Sequence, residues 1–207
     1  MAEIVVTPAK VGGVVAVSRE LADDSSPEAS AEVGRGLVRK ITRSIDNAYF
    51  GTLAAPAPAG LPSVVGVGTV DAGTAWTSLD WAAQAITQAE EVGATITSFV
   101  AHPDDGLILA QLKDQTGSLR PLLGIDATVP TRRVVLGVPL LVSPSVTVGT
   151  VWGIPGARIV AVVRDDARVE VDRSYYFLSD RVAVRGTMRV GFAFPHPAAV
   201  QKITIGP

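Results

Sequence analysis

The sequence predicts an α+β fold, and three observations carry that prediction. Apolar residues at Val33, Leu37, Ile41 and Ile45 recur at the i, i+4 spacing of one face of a long helix. The stretch 181–194 keeps strict period two, with Val182, Val184, Gly186, Met188, Val190, Phe192 and Phe194 on one face and Arg181, Arg185 and Arg189 on the other. No alternating βα repeat of the kind that builds a parallel sheet is present, nor any internal repeat or low-complexity tail.

Taken in order, residues 4–17 read as extended, with Pro8 and Gly12-Gly13 limiting a regular ladder. Ser25-Ser26-Pro27-Glu28 fits a capping box from Ser25 to Glu28, with Pro27 tolerated in the first turn. The helix it opens runs to Phe50 and stops at Gly51. Val38 and Tyr49 reinforce its apolar stripe, and Arg35, Arg39, Lys40 and Arg43 occupy much of the opposite face. From Leu53 to Gly73 the chain is rich in Pro, Gly and Ala and reads as loop with short extended pieces. A second helix starts near Ser78 and stops at Gly93; a strand covers 95–101; Pro103-Asp104-Asp105 opens a third helix. Short strands follow at 134–136, 139–142 and 158–163, and Arg168–Arg173 alternates. At about 3.3 Å per residue the strand over 181–194 spans roughly 45 Å, with a bend or bulge expected at Gly186. A strand that long suits a chain whose two lobes share one element.

Composition narrows the function. The chain of 207 residues is 47% hydrophobic with a mean hydropathy of +0.34, an excess carried by alanine and valine rather than aromatics, which hints at surface hidden against other copies. No apolar run reaches the roughly 18 residues that span a bilayer, so no membrane partner is expected. Cysteine is absent, which removes disulfides, thiolate metal sites and a thiol nucleophile. The net charge is −2, and the arginines between 158 and 189 are interleaved with Asp165, Asp166, Glu170, Asp172 and Asp180. That pattern fits a solvated or subunit-facing surface better than a specific nucleic-acid grip.

Catalytic candidates are few. Ala101-His102-Pro103-Asp104-Asp105 resembles the motif of zinc-dependent sugar deacetylases, in which the histidine and one aspartate hold zinc and a second aspartate acts as base. Gly106 stands where those enzymes carry a glutamate, and the sole other histidine, His196, lies between two prolines. Three protein ligands are needed, so the favoured reading is a helix cap whose acids sit near the positive end of the helix dipole. Gly66-Val67-Gly68 lacks the third glycine of a dinucleotide loop, and Ser143 and Ser145 have no histidine nearby in sequence. Tyr175-Tyr176-Phe177 reads as core or interface. No cofactor and no catalytic or metal site is expected.

Several blocks, met in order, resemble the tailed-bacteriophage major capsid proteins of the Hong Kong 97 type. Val17-Ser18-Arg19-Glu20-Leu21-Ala22-Asp23-Asp24-Ser25 is similar to the family's entry to its long spine helix, and Ile45-Asp46-Asn47-Ala48-Tyr49-Phe50-Gly51-Thr52 to that helix's end. Phe99-Val100-Ala101-His102-Pro103 followed by Leu112-Lys113-Asp114-Gln115-Thr116-Gly117 resembles its strand–Pro–helix block, and Leu136-Gly137-Val138-Pro139-Leu140-Leu141-Val142-Ser143 its next strand. Val169-Glu170-Val171, Asp180-Arg181-Val182-Ala183-Val184-Arg185, Arg189-Val190-Gly191 and Pro197-Ala198-Ala199-Val200 continue the match.

The resemblance implies a Hong Kong 97-like capsid fold: an extended segment over 1–17, a peripheral domain from 18–52 and 186–207 with the spine helix, and an axial domain over 53–185. It implies a structural, non-enzymatic subunit of a virion shell, assembled in the host bacterial cytoplasm as pentamers and hexamers around double-stranded DNA. Partners would be copies of itself, scaffold, portal and decoration proteins, and DNA held non-specifically. Val33, Leu37, Ile41 and Ile45 would form the packed face of the spine helix, and Arg181, Arg185 and Arg189 the polar face of the long strand. Family members carry an N-terminal arm and a full extended loop ahead of the spine helix, where this sequence has room for one returning arm over 3–17. Some members cross-link a loop lysine to an asparagine near the position of Ser179-Asp180; here Asp180 stands there and Asn47 is the sole asparagine, so a noncovalent shell is expected. An encapsulin-like nanocompartment shell is the alternative reading, and a zinc deacetylase through His102, Asp104 and Asp105 a remote one.

Overall fold

The computed structural model describes residues 4–20, 27–115, 117–125 and 133–206. In chain order the elements are β1 (Ala9–Ser18), α1 (Pro27–Phe50), β2 (Gly68–Asp71), α2 (Asp80–Glu91), β3 (Ser98–Ala101), α3 (Pro103–Gln111), β4 (Gly124–Ile125), β5 (Arg133–Val135), β6 (Val138–Val142), β7 (Thr150–Ile154), β8 (Val160–Asp172), β9 (Arg181–Ala193) and β10 (Gln201–Thr204). They group into two compact units, Met1–Leu61 with Ala161–Ala193, and Pro62–Val160 with Phe194–Pro207.

The first unit is a three-stranded sheet in the order β1-β9-β8 with α1 laid on one face. Strands β1 and β9 pair antiparallel without interruption from Ala9↔Val190 to Ser18↔Arg181. The period-two reading holds over Arg181–Ala193: Val184, Met188, Val190 and Phe192 turn toward α1 with Val11 and Val15 of β1, while the three arginines are exposed on the other side; Phe194, expected on the apolar face, lies beyond the strand. Neither expected irregularity is found. The ladder runs straight through Gly12-Gly13, and no bulge forms at Gly186, which lies directly opposite Gly13. The glycines serve packing instead. A Cβ at Gly186 would meet Leu37 Cδ2 at 2.7 Å and Ile41 Cδ1 at 2.9 Å, and one at Gly13 would meet Lys40 Cγ at 2.9 Å. Two facing glycines make a shallow saddle, and the helix sinks its Leu37–Ile41 turn into it.

Pro27 sits at the first position of α1, where a missing N–H costs nothing; Ser25, and with it the expected capping box, lies outside the described residues. The helix ends at Phe50, and a Cβ on Gly51 would collide with the Asn47 carbonyl oxygen. Leu37, Ile41, Ala48 and Phe50 are buried and Ile45 packs beside them. Tyr49 meets Phe192 edge to face at 4.9 Å between ring centroids. Val38 does not join this stripe: it is 63% exposed, because it sits one residue, about 100° of helix turn, away from Leu37.

The second unit holds a seven-stranded mixed sheet in the order β2-β10-β7-β3-β6-β5-β4. Strand β10 pairs parallel with β2 and antiparallel with β7, and β3 lies parallel to β6 and antiparallel to β7. Helices α2 and α3 contribute Trp81, Ala82, Ala85, Ala89 and Leu109 to one core with Phe99, Leu140, Val151 and Ile203 of the strands. Ala82, Ala85 and Ala89 are fully buried, so the helix backbone can approach the sheet closely. Gly93 ends α2 at φ +69, where a left-handed residue is needed, with the Ala94 amide bonded back to Ala89 O at 2.9 Å. A two-residue turn, Leu136-Gly137, joins β5 to β6 with both residues at positive φ.

Three sequence expectations change. The segments 158–163 and 168–173 are parts of one strand, β8. Strand β9 stays within the first unit rather than linking two lobes, because it is paired with β1 along ten consecutive residues. The chain after Phe194 falls in the second unit, not with the long helix, because β10 is hydrogen bonded between β2 and β7. Contacts thus divide the chain at 61/62, 160/161 and 193/194, in place of the expected boundaries at 52/53 and 185/186.

Candidate assembly surfaces

The residues singled out by the deacetylase-like motif are spent on structure. His102 is the N-cap of α3, and its Nδ1 accepts the Asp104 amide at 3.2 Å. Pro103 occupies the first helical position, and the Asp104 carboxylate is exposed, 3.3 Å from His102 Nδ1. Asp105 points the other way. It is 1% exposed, and its two oxygens accept the Trp76 indole N–H at 2.8 Å and the Gly149 amide at 2.8 Å. A carboxylate holding these two donors ties the loop before α2 to the loop before β7. Among the described residues no group of three or more His, Asp or Glu is placed to hold one. The deacetylase reading is withdrawn on that geometry.

The predicted site residues fall into two sets on opposite faces of one sheet. Leu37 and Ile41 are buried against the Gly13–Gly186 saddle, with Val11 and Val190 completing the cluster; Val33 and Ile45 are half-buried at its ends. Burying side chains of this size contributes roughly 1.5–3 kcal/mol each. On the far face Arg181, Arg185 and Arg189 stand two turns of the pleat apart and are exposed. They are interleaved with acids of β8. Arg185 Nη2 bonds Glu170 Oε2, and Arg189 Nε lies 3.5 Å from Asp165 Oδ2. The Arg185 guanidinium holds the Glu170 carboxyl below its ordinary range, with Lys10 and Arg168 adding to the effect. Such exposed pairs contribute little stability; their geometry makes this face a lattice of alternating charge.

Sequence reasoning missed two features of this unit. The first is a groove of about 440 Å³ running beside α1, lined by Val17, Leu37, Val38, Ile41, Val169 and Val184. It exists because α1 covers β1 and β9 but leaves β8 bare, so Val169 and Val171 remain 62% and 61% exposed. The second is how far the turn between β8 and β9 stands in solvent, where the sequence admits either core or interface. Tyr175, Phe177 and Leu178 are 75%, 70% and 101% exposed, so the core half of that reading is excluded. The signal available in the sequence was the cluster of large apolar residues between two turn-forming acids, Asp172 and Asp180.

Half-buried groups of α1 feel the same partial covering. Burial pushes the Asp46 carboxyl above its usual value and the Tyr49 hydroxyl up to about 12. No described helix is long and apolar enough to cross a membrane.

Comparison with known proteins then places the chain. The model of the phage capsid family matches residues 1–205. No curated protein matches. Among solved structures, the capsid of a native GTA particle superposes at TM-score 0.70 with 18% identity, over 99% of this chain and 74% of that one. Microbacterium phage Oxtober96 gives 0.73 with 19% identity over 97% and 73%. A virus-like particle from Pyrococcus furiosus gives 0.62 with 13% identity over 95% and 76%. These likenesses show the fold, a Hong Kong 97-like one. The family match extends over both units and every element described above, and by it the chain belongs to the phage capsid family, as a structural protein of a capsid shell.

Proposed function

We propose that this subunit closes into an icosahedral phage head, through pentamers and hexamers of itself, that encloses double-stranded DNA. The observation that carries the reading is the full-length family match to a chain built of two units with exposed apolar surface on each. The unit of α1, β1, β8 and β9 corresponds to the peripheral domain, with α1 as its spine helix. The seven-stranded unit corresponds to the axial domain that meets its neighbours around the five- and six-fold centres. Shells of this kind rest on many modest, repeated contacts, which suits a chain whose polar groups are spent on caps and cross-strand pairs. DNA contact is non-specific, since the arginines of β9 alternate with acids instead of forming a basic stripe. Scaffold, portal and decoration proteins complete the head, whose assembly takes place in the host bacterial cytoplasm and whose contacts are noncovalent at Asp180.

The test is the content of purified particles. Nuclease-protected double-stranded DNA inside closed shells from infected or induced cells supports the head; particles that hold a defined enzyme and no nucleic acid overturn it. That second outcome would favour an encapsulin-like compartment.

A further inference from the structure

The outward ridge of α1 is a line of guanidiniums. Residues 33–45 hold four cations and no acid, in a chain whose net charge is −2. Arg35, Arg39 and Arg43 recur every four residues, and all three are exposed. Arg39 lies two residues, about 200° of helix turn, from both Leu37 and Ile41. The ridge therefore points directly away from the Gly13–Gly186 saddle, where those two are buried. Lys40 belongs elsewhere: its stem lies over Gly13, on the sheet side of the helix.

The helix itself gains nothing from this spacing. Like charges four residues apart oppose helix formation by roughly 0.2–0.5 kcal/mol per pair, and the ridge contains two such pairs. The helix dipole favours the acids Glu28 and Glu32 near the start, but it does not favour the arginines, since the last turn holds no basic residue. Asp46, the next acid along, is half-buried. Beside the ridge, a Cβ on Gly36 would meet open space, although glycine inside a helix costs roughly 1 kcal/mol against alanine. A bare backbone there lets a broad, rigid partner come close.

Charge density identifies the partner. Three arginines at this spacing span about 12 Å, at 1.5 Å rise per residue. Duplex DNA carries one phosphate charge per about 1.7 Å of axis, so that length of duplex carries roughly seven. An extended acidic peptide advances about 3.3 Å per residue and turns every second side chain away, so it brings about two. A guanidinium has five N–H donors in a fork that matches phosphate, so a contact within the subunit still leaves it able to grip one. We propose that the Arg35–Arg39–Arg43 ridge of α1 is the surface by which the subunit holds duplex DNA without regard to sequence, an assignment that rests on the DNA-enclosing reading above. The arginines of β9 do not share the role, because Arg185 and Arg189 face Glu170 and Asp165.

The test is binding of a short fluorescent DNA duplex to the purified full-length protein as salt is raised from about 50 to 200 mM. At about 0.9 per phosphate neutralised, log affinity against log salt should fall with a slope of about −3. Arg39→Gln with Arg43→Gln should make that slope shallower by about two and weaken binding at low salt at least about tenfold, with unchanged circular dichroism. Arg39→Lys with Arg43→Lys should keep the slope, which a purely structural role would not require. Arg185→Gln with Arg189→Gln should leave DNA binding as it was. Equal losses from the α1 and β9 pairs, or an unmoved slope in the α1 glutamine variant, would overturn the proposal. So would an α1 variant that binds DNA normally but no longer binds an acidic scaffold protein, since the ridge would then serve a protein partner. DNA-filled heads alongside any of these results would leave the head reading intact; particles of the unaltered chain that hold no DNA would count against that reading itself.

Discussion

In the seven-stranded unit, α2 and α3 cover a sheet face and Trp76, Trp81, Phe99, Leu109 and Ile203 are all but sealed from solvent. In the three-stranded unit one helix covers two strands of three, and Val38, Val169, Val171, Tyr175, Phe177 and Leu178 remain in water. The first arrangement completes its hydrophobic core within one chain. The second leaves one strand of its sheet uncovered by the chain's own helix. The difference lies in helix cover, since two helices pack on one sheet and a single helix on the other. It also divides the spectroscopy, since all three tryptophans, Trp76, Trp81 and Trp152, are buried in the seven-stranded unit.

The harshest way to break the contrast is Ile41→Asp. A carboxylate at that position enters the Gly13–Gly186 saddle with no partner, and more than about 4 kcal/mol should be lost from the first unit. Amide exchange in α1, β1 and β9 should speed up to that of an unfolded segment, while tryptophan fluorescence keeps its native maximum. Next in size is Phe99→Ala, which removes a fully buried ring from the other core and should cost about 3–5 kcal/mol. Here the tryptophan-detected denaturation midpoint falls. If both variants shift both probes equally, the two units unfold as one and the contrast is drawn too sharply. Gly186→Val probes the saddle by overpacking: its Cβ would lie 2.7 Å from Leu37 Cδ2, and the expected loss is about 1–3 kcal/mol, read in the same exchange experiment.

The smallest effect is a pH dependence. Burial raises the Tyr49 hydroxyl from 10.0 to about 12. The unfolded chain therefore releases that proton at lower pH than the folded one, so stability is full below about pH 10 and is lost as pH rises toward 12. Tyr49→Phe should flatten the alkaline limb of the first unit's stability profile; an unchanged limb would show that Tyr49 is not its source.

Where local pattern and tertiary role coincided, the sequence was legible. The period-two run of β9, the i, i+4 stripe of α1 and the Gly93 stop of α2 are each set by one element's own burial, and each is found where it was expected. Strand β7, an interior strand of the large sheet, escaped because Thr150–Ile154 is buried on both faces and so has no alternation to read. The roles of Gly13 and Gly186 escaped for a different reason. Glycine in a strand signals a bulge or a close approach equally well, and only the partner helix decides between them. Asp105 was assigned to the cap of α3, whereas its donors, Trp76 and Gly149, lie 29 and 44 residues away. The apolar turn between β8 and β9 was visible as composition, but its exposure depends on which neighbouring elements cover it.

Electron microscopy of the purified protein, with size-exclusion chromatography of the same sample, asks whether this chain builds a shell out of copies of itself. Closed icosahedral particles, or rings of capsomer size, are the predicted result. A single monomeric species across salt and pH, including when co-expressed with a scaffold protein, would contradict it.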